Sequence, residues 1–259
     1  MTVSSSAENQ SSYNVHGTFT TKTSGGEESL RSDPSCGAAG AEFAGVIGAV
    51  VNRFNESVVT APREDGITLV PAGTPDAPDG GVAVKVCADD KLSAYSYPST
   101  IAVHEGLLRL LKNSAYAAVL NDGDQAGLEA RLDEIVAVAM SGGLDDEADR
   151  WRVESDAGLM ARAGQLLESE TAFVLYHELG HSQMDRNLAG AGDSAELRAD
   201  VFSAGAMSAA GIPMDGVDLV FSVLERVSPE GTAAHPSSGE REWLVTRAGS
   251  SGGMAGMIE

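Results

Sequence analysis

His177-Glu178-Leu179-Gly180-His181, preceded by the apolar Phe173-Val174-Leu175-Tyr176, is the stretch on which the reading of this chain turns. Positions four apart on a helix share a face, separated by about 40° in projection. Two imidazoles at that spacing can each present a nitrogen to one metal ion. Glu178 is offset by one position; it cannot ligate comfortably beside them, but it can reach a water on the same ion. The preceding apolar residues bury the helix, and Gly180 removes a side chain that would keep a second backbone at a distance.

Two incidental histidines on a surface helix produce the same pattern, so the third ligand decides. A three-histidine site of the extended type needs a glycine at 184 and a histidine at 187, which are Met184 and Asn187 here. The alternative is a glutamate on a following helix. Leu188-Ala189-Gly190-Ala191-Gly192-Asp193 is a polar, glycine-containing turn. It predicts a helix, a reversal and an antiparallel helix, capped by Asp193 or Ser194. Glu196 then falls in the first turn of the second helix, as the candidate third ligand. Asp200 lies one turn further on the same face, where a carboxylate can orient a ligand histidine or hold an arginine. A closed structural zinc site takes four protein ligands, often cysteines. Cys36 and Cys87 are far from the motif in sequence.

With these residues in place, the chain resembles the gluzincin peptidases of the CaaX prenyl endopeptidase and HtpX heat-shock type. His177-Glu-Leu-Gly-His181 followed by Glu196-Leu-Arg-Ala-Asp200 carries the likeness. His235-Pro236-Ser237-Ser238-Gly239-Glu240-Arg241 is similar to the family's His-Pro segment with its arginine. Ser93-Ala-Tyr-Ser-Tyr-Pro98 through Ile101-Ala-Val-His-Glu-Gly106-Leu-Leu is similar to its edge strand and following helix. The resemblance covers roughly residues 40 to 248, with gaps.

It implies an α+β fold: a mostly helical, zincin-like domain with a small three- or four-stranded sheet whose edge strand borders the active-site cleft. It implies Zn²⁺ held by His177, His181 and Glu196, with Glu178 as general base and then general acid. Asp200 would pair with Arg241, and His235 would lie near the oxyanion. The substrate would be a peptide or protein, lying extended along the strand at 99–103. Two neutral imidazoles and one carboxylate leave Zn²⁺ a net charge of +1 and an open position, as hydrolysis by a metal-activated water requires. The competing expectation is a non-hydrolytic zinc-binding regulatory or interaction module on the same scaffold; an intact Glu178 speaks against it.

Composition narrows the partners. The chain carries 38 acidic against 17 basic residues, a net charge of −21. Such a field repels phosphate backbones and anionic lipid surfaces, so no nucleic-acid partner is expected. Aromatic residues make up only 5%, so the core must lean on Ala, Val, Leu and Ile. The two cysteines are expected to be free buried thiols, a single bridge being the alternative. The N-terminal residues lack the apolar core of a secretory signal. The longest apolar stretch, Ala44 to Val51, is far shorter than the ~20 residues a membrane span needs. No membrane span is expected, and a cytoplasmic location follows by default; oligomeric state is left open.

Along the chain, residues 1–34 read as a disordered leader, 35–248 as the metallopeptidase domain with an acidic helical insertion at 121–165, and 249–259 as a flexible tail. Helices are expected over Gly37–Val51, Gly106–Leu120, the Leu128-Leu132-Ile135-Ala139 face, Trp151 or Asp156 to Leu167, Val217–Val227 and Gly239–Arg247. Strands are expected at Ile67–Val70, Val82–Val86 and Ser99–Val103. His104, at a strand-to-helix junction, reads as a capping or packing residue.

Overall fold

A computed structural model describes residues 35–60, 67–70, 81–97, 99–143, 147–187 and 193–227, together with Arg241 and Val245. The expected leader and tail, and His235, lie outside the described residues.

The first helix, α1 (Ala41–Thr60), begins where the Gly40 carbonyl accepts the N–H groups of Phe43 and Ala44. Phe43, Ile47, Val50, Val51 and Phe54 all face the core. That stripe at helical spacing continues past Asn52-Arg53, which is why α1 outruns the expected end at Val51.

Five short strands form one mixed sheet. β3 (Gly81–Cys87) and β5 (Thr100–His104) run parallel at its centre, with Val84 opposite Ile101. β2 (Thr68–Val70) pairs parallel with the first half of β3, and β1 (Cys36–Gly37) pairs antiparallel with its second half. β4 (Ala94–Tyr97) runs antiparallel to β5 and closes the other side, with Tyr97 opposite Thr100. The sheet therefore has one strand more than the largest expected number, because β1 carries too few residues for a pattern. The expected substrate strand at 99–103 is corrected as well. β5 is hydrogen-bonded on both sides; among the described residues β4 has an open edge at one end of the sheet, as β1 and β2 do at the other.

Cys36 and Cys87 are directly opposed on β1 and β3 and form a disulfide, not the free thiols expected. Disulfides persist in oxidising compartments and are rare in the cytosol, so this bond does not support the cytoplasmic expectation.

From the sheet the chain enters α2 (Glu105–Leu120), then α3 (Gln125–Met140), α4 (Glu147–Glu154), α5 (Ala157–Asn187), α6 (Asp193–Ala209) and α7 (Val217–Val227). Asp124 caps α3 by accepting the Gly127 N–H, and Gly142, at a positive φ of 87°, follows its end. The segment 121–165 is not an appendage. Leu132, Ile135, Val136 and Ala139 of α3 pack with Leu110 and Ala117 of α2 and with Leu219, Val223 and Val227 of α7. Arg226 of α7 donates to Asp133 at 2.6 Å and to Glu129. The helix expected from Trp151 or Asp156 to Leu167 starts at Ala157 and does not stop at Leu167; α5 runs unbroken for 31 residues through the His177–His181 turn.

The main core lies between one face of the sheet and helices α1, α2, α5, α6 and α7. Among the described residues no helix is long and apolar enough to cross a membrane.

Candidate metal centre

Two helices and one distant residue build the site. α5 contributes His177, Glu178 and His181; α6, which packs along α5, contributes Glu196 and Asp200; Arg241 reaches in from the C-terminal segment. All six are buried.

Gly180 sets how closely α5 and α6 approach. A Cβ placed on it would stand 3.0 Å from the Ala199 Cα, 3.3 Å from the Ala199 Cβ and 3.3 Å from the Phe202 ring. The close backbone approach expected of Gly180 is present, and it brings α6 within ligand distance of the histidines.

His177 Nε2 and His181 Nε2 are 3.0 Å apart. Glu196 places one carboxylate oxygen 3.3 Å from His177 Nε2 and the other 3.1 Å from His181 Nε2. Bonds of about 2.0–2.1 Å to a tetrahedral ion require ligand atoms roughly 3.3–3.4 Å apart. The trio is therefore close to the spacing that a small divalent ion demands.

Behind the trio, the His177 Nδ1–H donates to Asp200 Oδ1 at 2.8 Å. Arg241 grips the same carboxylate with both arms of its fork, Nε to Oδ2 at 2.7 Å and Nη2 to Oδ1 at 2.9 Å. The guanidinium also lies over the Phe221 ring of α7, 5.6 Å from its centre, and 3.5 Å from Glu196 Oε2. Asp200 thus receives a proton donor on each side, and His177 is held with Nε2 turned toward Glu196.

The electrostatics follow from these contacts. Burial alone would raise Asp200, but its bonds to Arg241 and His177 outweigh it and hold the carboxyl below its ordinary value. Burial likewise opposes charge on His177, yet the hydrogen bonds to Asp200 and Glu196 prevail and push it up to about 10. Glu178 is raised, mainly by burial, with the neighbouring histidines pulling the other way. Glu178, Glu196 and Asp200 bring three carboxylates into one buried space against the single guanidinium of Arg241. Such a space draws in cations, either protons or one divalent ion that balances it.

Of the sequence-predicted residues, the structure brings together His177, Glu178, His181, Glu196, Asp200 and Arg241; His235 lies outside the described residues. His104 does not join them. Its Nδ1 bonds Asp89 Oδ1 at 2.5 Å and its ring stands edge-on to Tyr95, consistent with a packing residue. Ser96 of β4 was missed. The strand's pleat turns Ala94 and Ser96 to the buried side, and Ser96 lies beside Glu178, close enough to favour its charged form. A serine at an inward position of an otherwise apolar strand is the only signal the sequence offered.

Comparisons with protein-family models, curated proteins and solved structures return no match.

Proposed function

We propose that this chain is a zinc-dependent endopeptidase of the gluzincin kind that its sequence resembles. One observation carries the reading. His177, His181 and Glu196 converge in a buried cluster, and the wholly buried Glu178 beside them has neither carboxylate oxygen hydrogen-bonded. Structural zinc sites are normally closed by four protein ligands. Three ligands leave a position open, and a free carboxylate next to it serves chemistry better than it serves stability.

Imidazole nitrogens and a carboxylate oxygen suit zinc. When bound, the ion would supply Lewis acidity, polarising a peptide carbonyl and acidifying the attacking water. His177, His181 and Glu196 would hold it, with Asp200 and Arg241 fixing the His177 ring. Glu178 would take a proton as the water oxygen attacks the carbonyl carbon. It would then deliver that proton to the amide nitrogen as the C–N bond breaks. A carboxyl raised by burial is better matched to both tasks than an ordinary one. The open edge of β4 beside α5 supports an extended peptide that adds a strand there. The oxyanion donor is assigned to His235 on the resemblance alone.

The test is zinc content and cleavage of an unfolded protein substrate such as casein, for wild type and Glu178→Gln together. Both are expected to hold one zinc ion, and the variant to lose at least about a hundredfold in rate. Equal cleavage by the two proteins would overturn the mechanism.

A further inference from the structure

We infer that Ser96 is a positioning residue that holds the Glu178 carboxylate in line with the open side of the metal cluster, an inference that rests on the peptidase reading. Ser96 sits on β4, an edge strand of the sheet, and α5 packs against that strand. Its side chain is 0% exposed, as is that of Glu178. The Ser96 Oγ and both Glu178 oxygens are buried without a hydrogen-bond partner, and the Ser96 hydroxyl is a near neighbour of the Glu178 carboxylate.

An orphaned buried hydroxyl is costly, and an orphaned buried carboxylate more so. Two such groups on packed elements are each other's available remedy. The hydroxyl can donate one proton and the ionised carboxylate can only accept, so a single Ser96-to-Glu178 bond satisfies one Glu178 oxygen and leaves the other for a water proton. It also opposes the competing pull. Glu178 directly follows His177 on α5, and a carboxylate that swung onto the cluster would become a fourth ligand and close the open position. A hydroxyl from the opposite side, on a strand rather than a loop, holds it back.

The experiment uses the zinc-loaded full chain as wild type, Ser96→Ala and Ser96→Thr. Three quantities are measured: zinc content, binding of acetohydroxamate by calorimetry, and kcat and KM on a cleaved peptide. Acetohydroxamate chelates through two oxygens and gives up a proton to an aimed base, so its affinity reads the position of Glu178 without turnover. Ser96→Ala is expected to keep its zinc, to lose about tenfold in kcat at unchanged KM, and to bind acetohydroxamate about tenfold more weakly. Ser96→Thr, which keeps the hydroxyl on a β-branched residue suited to a strand, is expected to recover most of both. Unchanged kcat and unchanged hydroxamate affinity in Ser96→Ala overturn the inference, as does a threonine variant that folds and binds zinc yet rescues neither. If wild type binds zinc and acetohydroxamate but cleaves no peptide, the peptidase reading fails and the hydroxamate comparison alone decides Ser96. A zinc-loaded wild type that does not bind acetohydroxamate has no aimed base, and the inference falls with it.

Discussion

Asp200 accepts the His177 Nδ1–H at 2.8 Å, and this one bond decides which nitrogen of His177 faces Glu196. A ring free to turn would offer the cluster either nitrogen, protonated or not. Asp200→Asn keeps the shape of the side chain but removes its charge, and it strands the buried Arg241 guanidinium. Loss of such an outer partner typically weakens metal binding about 10–100-fold, and an unpaired buried charge costs about 3–5 kcal/mol. The variant is therefore expected to bind zinc about 10–100-fold more weakly in a chelator competition and to melt well below wild type even with zinc present. Wild-type zinc affinity in Asp200→Asn would remove Asp200 from the account of the site.

Gly180 makes a separate prediction, because it governs distance and not charge. A Cβ there would meet the Ala199 Cα at 3.0 Å, so α6 must yield by a few tenths of an ångström. Alanine is the better helix former by about 1 kcal/mol, while overpacking costs about 1–3 kcal/mol. The two nearly cancel, and Gly180→Ala is expected to shift Tm by only a few degrees. Zinc affinity has no such compensation, since α6 carries Glu196. We expect Gly180→Ala to bind zinc several-fold more weakly and Gly180→Val to lose both zinc and stability. Undiminished affinity in Gly180→Val would show that α6 is free to adjust.

The disulfide acts far from this chemistry. Cys36 and Cys87 are 51 residues apart in sequence, and closing a loop of that size removes roughly 4 kcal/mol of unfolded-chain entropy in the simplest treatment. Strain and residual structure lower the figure, and about 2–4 kcal/mol is typical. For a chain of this size each kcal/mol moves Tm by about 2–4 °C. Thermal unfolding with and without reductant is expected to differ by about 10 °C, and Cys87→Ala to behave like the reduced protein whether or not reductant is added. Coincident melting curves would mean that the bond contributes nothing.

Much of this site was legible because its signals are local. His177, Glu178 and His181 fall within five residues, and Glu196 and Asp200 share a face of the next helix, so spacing alone places them. α7 was legible for the same reason: Val217, Val220 and Phe221 recur at helical spacing toward the main core and Leu219, Val223 and Val227 toward α3, and its bounds match the expected Val217–Val227. What was not legible depends on distant partners. β1 consists of two residues that become a strand only against β3, and the bond between Cys36 and Cys87 depends on that pairing. The Arg241–Asp200 bond spans 41 residues, and only the family resemblance pointed to it. α5 hides its length, because the polar run Glu168-Ser169-Glu170-Thr171 after Leu167 mimics a helix boundary. Ser96 lies furthest from reach, since its meaning comes wholly from the helix packed across from it.

Glu170 of α5 gives the remaining prediction, a dependence of stability on pH. Its side chain is 0% exposed, and burial raises it well above the ordinary carboxyl value. Its one hydrogen-bond partner is Ser114 of α2, whose Oγ lies 2.7 Å from Glu170 Oε1 and 2.7 Å from the Leu111 carbonyl oxygen. One hydroxyl proton cannot serve both acceptors. The arrangement closes when Glu170 is a neutral acid donating to Ser114, which donates onward to Leu111. Among the described residues no charged group offsets the burial of Glu170. An acid raised in the folded state stabilises fully below its unfolded value, near 4.5, and that stability is lost as pH rises through the folded value. Glu170→Gln removes the titration and keeps a donor for Ser114. The difference in Tm between Glu170→Gln and wild type is therefore expected to shift in favour of the variant as pH rises from about 4.5 to 8, levelling off only above the folded value. Using the difference cancels the titration of the metal cluster, which both proteins share. Parallel Tm curves across that range would show that Glu170 is charged in the folded chain and that Ser114 alone neutralises its burial.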